Sequence, residues 1–290
     1  MNVNDIVKLT QIASVLEVSG YPKPGNVHRT RDYDDMVFED FVISGIVIGD
    51  AVREACTDVD VENPRLGKYI LDAVAETDRW IHNNTNLGIM MMTTPIAVAA
   101  AISDSFDELR PNIVKLMANT TVEDACDLYD AINIASAGGM GEVDEYDVTS
   151  DSAKDELREN NQTMYDVLKI SASFDMLGRE MTSDMPIVFE MGYPTYHELK
   201  KKSLNEACVM TFLTILSQVP DTLIYREEGE DASLKVSMMT KDLLKFKDDS
   251  DFAEKLAEFD DYLYDNGYNP GTTADLTAAS ILVSNLKDHF

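Results

Sequence analysis

Four loops concentrate the residues able to do chemistry. The first, GYPKPGNVHRTRDYDDM at 20–36, gathers Lys23, His28, Arg29 and Arg31 in an otherwise acidic chain. Pro22 and Pro24 stiffen the backbone around Lys23, and Gly25 permits a close backbone approach or a positive φ. Such a cluster can grip phosphate, arginine by forked contacts; it can equally be a rigid connection carrying scattered charge. Asp32, Asp34, Asp35, Glu39 and Asp40 follow. If a helix starts near Asp35, then Asp35 and Glu39 share a face at i,i+4, where paired carboxylates can hold Mg²⁺. The competing reading is acidic residues that stabilise a helix N-terminus.

The second loop, HNNTNLGIMMMTT, places Asn83, Asn84, Thr85, Asn86 and Gly88 at the start of an apolar helix. Thr85 or Asn86 can cap that helix, and its free amides can receive phosphate. In ASAGGMGEVDEYDV, Gly138, Gly139 and Gly141 allow an anion nest or a plain helix C-cap, and Glu142, Asp144 and Asp147 come after them. The last loop, NGYNPGTTADL, makes a sharp entry at Pro270–Gly271 into a terminal helix, with Asp275 expected as its capping-box residue. Neither a Walker loop nor GxGxxG after a strand is present, and the four histidines lack HExxH spacing.

The elements that must carry these loops have a helical period. Apolar stripes at 3.6 spacing mark 4–19, 37–55, 65–82, 88–102, 122–136, 162–181, 203–218, 251–265 and 273–287, while 220–240 is ambiguous. Thr121 with Asp124, Ser203 with Glu206, and Thr272 with Asp275 read as capping boxes. No alternating strand pattern, internal repeat or Pro/Ser/Gly-rich linker interrupts this. The expectation is an all-α fold, a single multi-helix domain over 1–290 with its site in the inter-helix loops.

A net charge of −29 excludes nonspecific nucleic-acid binding and anionic membrane surfaces. It also requires that any anionic ligand be met by local cations, helix N-termini or a divalent ion. Cys56, Cys126 and Cys208 form no CxxC pair and fit a reduced compartment as small core residues. The N-terminal residues lack signal-peptide character, and the most apolar stretch, 87–102, is too short to span a bilayer, so a cytoplasmic location is expected. Self-association is left open.

Taken in order, the markers PKPGNVHR at 22–29, DMVFEDF at 35–41, NTNLG at 84–88, GYP at 192–194 and NPGTTADL at 269–276 resemble the triphosphoribosyl-dephospho-CoA synthase family. The resemblance implies an all-helical, Mg²⁺-dependent pentosyltransferase of prosthetic-group biosynthesis. It would move the triphosphoribosyl group of ATP onto a ribose hydroxyl of 3′-dephospho-CoA, releasing adenine. It further implies Asp35 and Glu39 as metal-binding and catalytic carboxylates. Lys23, Gly25, Asn26, His28, Arg29, Asn84, Thr85, Asn86, Gly88, Gly138, Gly139, Gly271 and Asp275 would hold nucleotide. The chain departs from the bacterial pattern at His28, where those enzymes tend to carry aspartate, and at Asn86 and Leu87, where they read NTHKG. It also has PDTL at 220–223, then Arg226 without the usual glycine pair. These positions bear on the identity of donor and acceptor. ATP-dependent phosphoryl transfer or hydrolysis, and nucleotide binding without turnover, are the alternatives.

Overall fold

The computed structural model describes residues 1–136, 146, 148–150 and 152–290. Among them there is no β-strand, only two isolated bridges inside the first loop, His28 with Arg31 and Tyr33 with Met36. The architecture is all-α, as the periodicity requires.

Two helices form the centre, α5 (Leu87–Ile102) and α16 (Gly271–Lys287), which pack on each other. Both are apolar or small nearly all round, and a helix with that pattern can only lie inside a core. Pro95 sits within α5, and Thr93 returns its hydroxyl to the Ile89 carbonyl at 2.7 Å. Around this pair lie α1 (Val3–Ser19), α3 (Gly49–Ala55), α4 (Leu66–Ile81), α6 (Phe106–Ala118) and α7 (Val122–Ala135). α4 reaches α7 through Gly67, where a β-carbon would clash with the backbone of Asp124; only glycine permits that approach. A smaller apolar cluster joins α12 (Leu204–Gln218), α13 (Thr222–Glu228), α14 (Glu230–Leu243) and α15 (Phe252–Asp265) to Ala274 of α16.

The structure corrects several boundaries. The expected helix over 37–55 divides into α2 (Phe38–Val47) and α3. The one over 162–181 divides into α9 (Met164–Ser171) and α10 (Met176–Thr182), because Asp175 caps a new start by accepting from the Gly178 amide at 2.9 Å. The ambiguous 220–240 segment is helical as α13 and α14, broken at Gly229, whose φ is 91°. Thr121 and Asp124 form the expected capping box. Thr272 and Asp275 do not: α16 already begins at Gly271, so both lie inside its first turns and neither caps it. Cys56, Cys126 and Cys208 are buried and free. No single helix among the described residues is long and apolar enough to cross a membrane.

Candidate active site

The ends of these helices surround one cavity of about 1240 Å³. Its walls come from the C-terminal turn of α1, the first loop, the start of α5, the C-terminal half of α7, α9 with the start of α10, α13, and the first turns of α16. One side is polar, with Asn26, Asn84, Thr85, Asn269 and several carboxylates. The other is apolar, with Met91, Leu128, Ile132, Val167, Leu168 and Leu177.

The first loop is shaped by pairing with distant residues. Gly25 holds φ at 72°, and its N–H donates to Asp260 of α15 at 3.0 Å. The second Asp260 oxygen meets His28 Nε2 at 3.1 Å and Arg31 Nε at 3.0 Å. Arg31 also pairs with Asp261. Lys23 is fully buried: its Nζ donates to Glu17 Oε1 of α1 and, at 2.8 Å, to Asn26 Oδ1. Arg29 is exposed, donates to the Ser19 carbonyl and to Asn205, and stacks on Tyr21. The cations expected to grip phosphate are therefore engaged with the protein itself. Lys23, Gly25, His28 and Arg29 do not line the cavity, whereas Asn26 does. In so acidic a chain, buried carboxylates such as Glu17 and Asp260 must be paired, and these cations meet that need.

Asp35 lines the cavity mouth, but Glu39 is exposed and does not. The shared helical face is corrected as well. α2 begins at Phe38, with Asp32 accepting from the Phe38 amide and Asp40 from the Val37 amide, and Asp35 lies in the turn before it. Glu227 of α13 also lines the cavity. Its carboxyl titrates above the ordinary value, desolvation leading, and Asp35 is among the carboxylates whose charge adds to the rise.

At α5, Asn84, Thr85, Asn86 and Gly88 all line the cavity. Neither Thr85 nor Asn86 caps the helix. Asn86 Nδ2 donates to Thr77 at 2.7 Å, and Asn84 Oδ1 accepts from the Leu87 amide at 3.3 Å. No side chain caps the helix from the Asn86 position. The Thr85 hydroxyl is buried without a partner among the described residues. Gly88 exists because Asp275 occupies the space a β-carbon would need. Gly271 and Asp275 line the cavity as well, while Gly138 and Gly139 lie outside the described residues.

The polar lining residues Glu17, Asp78, Asp175, Glu227, Glu230 and Asn269 escaped the sequence reading. Arg226 stood out only as a departure from the family pattern. It sits at the wall, where its Nη1 meets Asp175 at 3.3 Å and its buried Nε has no partner among the described residues. Asp221 is buried beneath α16. It accepts from the Thr273 amide and hydroxyl, both at 2.7 Å, so it anchors the start of the helix that carries Asp275.

The sequence profile of the ATP:dephospho-CoA triphosphoribosyl transferases matches residues 3–290. The chain belongs to that family. Its members are pentosyltransferases that move a triphosphoribosyl group from ATP to dephospho-CoA. The fold agrees with a crystal structure assigned as triphosphoribosyl-dephospho-CoA synthase from Archaeoglobus fulgidus. That chain is 19% identical, with a TM-score of 0.69, and the match covers 85% of this chain and 98% of that one. No curated protein matches. The charge at the site follows that of the whole chain. Among the described residues the cavity is lined by seven carboxylates (Glu17, Asp35, Asp78, Asp175, Glu227, Glu230, Asp275) against one arginine and one histidine, Arg226 and His82.

Proposed function

We propose that this cavity holds Mg²⁺-bound ATP and dephospho-CoA together, and that a ribose hydroxyl of the second displaces adenine from the ribose of the first. One observation carries the reading: a single cavity of about 1240 Å³ whose polar and apolar halves are continuous. Sites for one drug-sized ligand measure roughly 300–1,000 Å³, so the space suits two substrates meeting.

The triphosphate is best matched by the start of α5. The Leu87 amide is met by Asn84, but no side chain caps the helix from Asn86; Gly88 lines the cavity, and the Thr85 hydroxyl is free to donate. A helix N-terminus of this kind favours anions without supplying a cation. The apolar half, between α5, α7 and α9, matches a pantetheine arm, whose methylenes and methyls gain from burial.

The site chemistry suits Mg²⁺. No group of three or more histidine, cysteine or acidic side chains forms a ready metal cage among the described residues. Mg²⁺ needs none: it keeps several waters and binds through one or two carboxylates plus substrate phosphates. Asp35 and Glu227 are the carboxylates we assign to it. Bound there, the ion would neutralise triphosphate charge that the surrounding acids repel.

Incubating the purified chain with ATP, Mg²⁺ and dephospho-CoA should release one free adenine for each triphosphoribosylated product, and EDTA should abolish it. ADP or inorganic phosphate in place of adenine would replace this reading with phosphoryl transfer or hydrolysis.

A further inference from the structure

Displacing adenine by a hydroxyl moves two protons: one must leave the attacking oxygen and one must reach the departing base. Two carboxyl groups lining the cavity have opposite surroundings. Glu17 is buried against a fixed cation. Because the Lys23 ammonium only donates, Asn26 must turn its oxygen to Lys23 and its Nδ2 outward, where it meets Asn269 Oδ1 at 2.9 Å. The chain Glu17–Lys23–Asn26–Asn269 thus runs from α1 to the loop before α16 and fixes the position of the carboxylate.

Asp275 has no hydrogen-bond partner and no ion pair among the described residues. It keeps partial access to the cavity and rests against Gly88. The charges acting on it are Glu17, Asp221 and Asp175, all acidic, and Arg226, whose Nη1 is already engaged by Asp175. A lone carboxyl facing three others keeps its proton.

We propose that Glu17 and Asp275 are the proton-transfer pair of this enzyme, Glu17 as base and Asp275 as acid. This rests on the reading above. The hydroxyl oxygen of dephospho-CoA bonds to the ribose carbon of ATP, and its proton passes to Glu17. The bond from that carbon to adenine breaks with its electron pair on nitrogen, and Asp275 supplies the proton that leaves adenine neutral. A proton returning from Glu17 to Asp275 through solvent restores both groups, so nothing is consumed but the two substrates. The division of labour is that of paired carboxylates in inverting glycoside hydrolysis, where environment separates the acid from the base.

The titration behaviour agrees. Desolvation, then the neighbouring acids, push Asp275 well above its ordinary value of 3.8. Burial raises Glu17 as well, but the Lys23 charge and hydrogen bond, with a smaller contribution from His28, pull it back. Cys208, whose Sγ meets the Glu17 carbonyl oxygen at 3.5 Å, is held neutral by burial that raises it to about 12. Glu17, held by the Lys23 ammonium, is thus the member of the pair that carries the charge, and Asp275, which has no such partner, the one that keeps its proton.

The test is adenine release by wild type, Glu17→Gln and Asp275→Asn across pH, with Mg·ATP affinity measured by calorimetry. The wild-type kcat should follow a bell. Each variant should lose about 10²- to 10⁴-fold in kcat, the usual contribution of general acid–base catalysis. Glu17→Gln should lose the acid limb and Asp275→Asn the alkaline limb, with Mg·ATP affinity within about threefold of wild type. Because Glu17→Gln strands the Lys23 charge, the double variant Glu17→Gln/Lys23→Met repeats the test without it and should be as inactive while retaining its helical circular dichroism. A variant with kcat within about threefold of wild type, or with both limbs unmoved, overturns the pair and leaves the overall reaction standing. A wild-type chain that releases no adenine removes the reaction itself, and the pair with it.

Discussion

Two cations of the first loop look interchangeable in sequence and are not. Lys23 lies fully buried between Glu17 and Asn26; Arg29 lies exposed on Tyr21. Removing a buried partner strands a charge in a desolvated place, which costs roughly 3–5 kcal/mol, whereas exposed pairs contribute about 0–1 kcal/mol. Lys23→Met should therefore lower the stability read from urea unfolding by several kcal/mol. Arg29→Ala should leave it nearly unchanged, and equal losses would show that Lys23 is not the buried clamp of this loop. Asp35→Asn addresses the site instead. Asp35 is exposed at the mouth and supports no packing, so thermal stability should hold while the KM for Mg·ATP rises about tenfold or more, the loss of one charge-assisted contact. An unchanged KM would remove Asp35 from the metal. The unusual character of this loop was legible from Pro22, Lys23, Pro24 and Gly25. Its partners were not, because His28 meets Asp260 across 232 positions of sequence and nothing local marks that aspartate.

At the scale of elements, what could be read depended on whether a helix is decided locally. The box at Thr121 and Asp124 is a local exchange of hydrogen bonds and formed as expected. The matching pattern at Thr272 and Asp275 was overridden when Asp221, the cap residue before α13, took the Thr273 amide and drew the start of α16 forward. α6 went unread because its first turns are acidic and Pro111 interrupts them, although Leu109, Ile113, Leu116 and Met117 bury its inner face. Glu180 is another tertiary device that sequence conceals. Wholly buried near the end of α10, it accepts the Ile187 and Val188 amides at 2.9 and 3.0 Å and so caps the π-helical turn Ile187–Gly192. Burial, opposed by those two amides and by Arg110, raises its carboxyl from 4.5 to about 7. The folded chain then holds a proton that the unfolded chain releases. Its stabilising effect is full below about pH 4.5 and is lost as pH rises to about 7, a span worth roughly 3 kcal/mol. The stability of wild type minus that of Glu180→Gln, in which other carboxylates cancel, should fall by about that amount between about pH 5 and about pH 8. A constant difference would mean that Glu180 does not titrate in this range.

The whole molecule carries −29, and its cavity concentrates that sign instead of relieving it. The order of the loop motifs was enough to indicate the family, and the charge was enough to call for helix N-termini and a divalent ion. Neither could show that the basic loop would spend its cations on Glu17, Asp260 and Asp261 and leave Arg226 as the one arginine at the wall. This has a consequence for binding. In a phosphate site built from lysines and arginines, salt screens attraction and weakens affinity. On the reading proposed above, the long-range field repels Mg·ATP, and the contacts that would hold it are short, partly desolvated and little affected by screening. Raising NaCl from about 0.05 to about 0.5 M at fixed free Mg²⁺ shortens the screening length from over 10 Å to under 5 Å, so the KM for Mg·ATP should fall about two- to threefold. The Asp35→Asn variant, with one fewer repelling charge, should respond less steeply. A KM that climbs with salt would show that attraction by protein cations governs capture, and that the triphosphate lies against the basic loop and not at the start of α5.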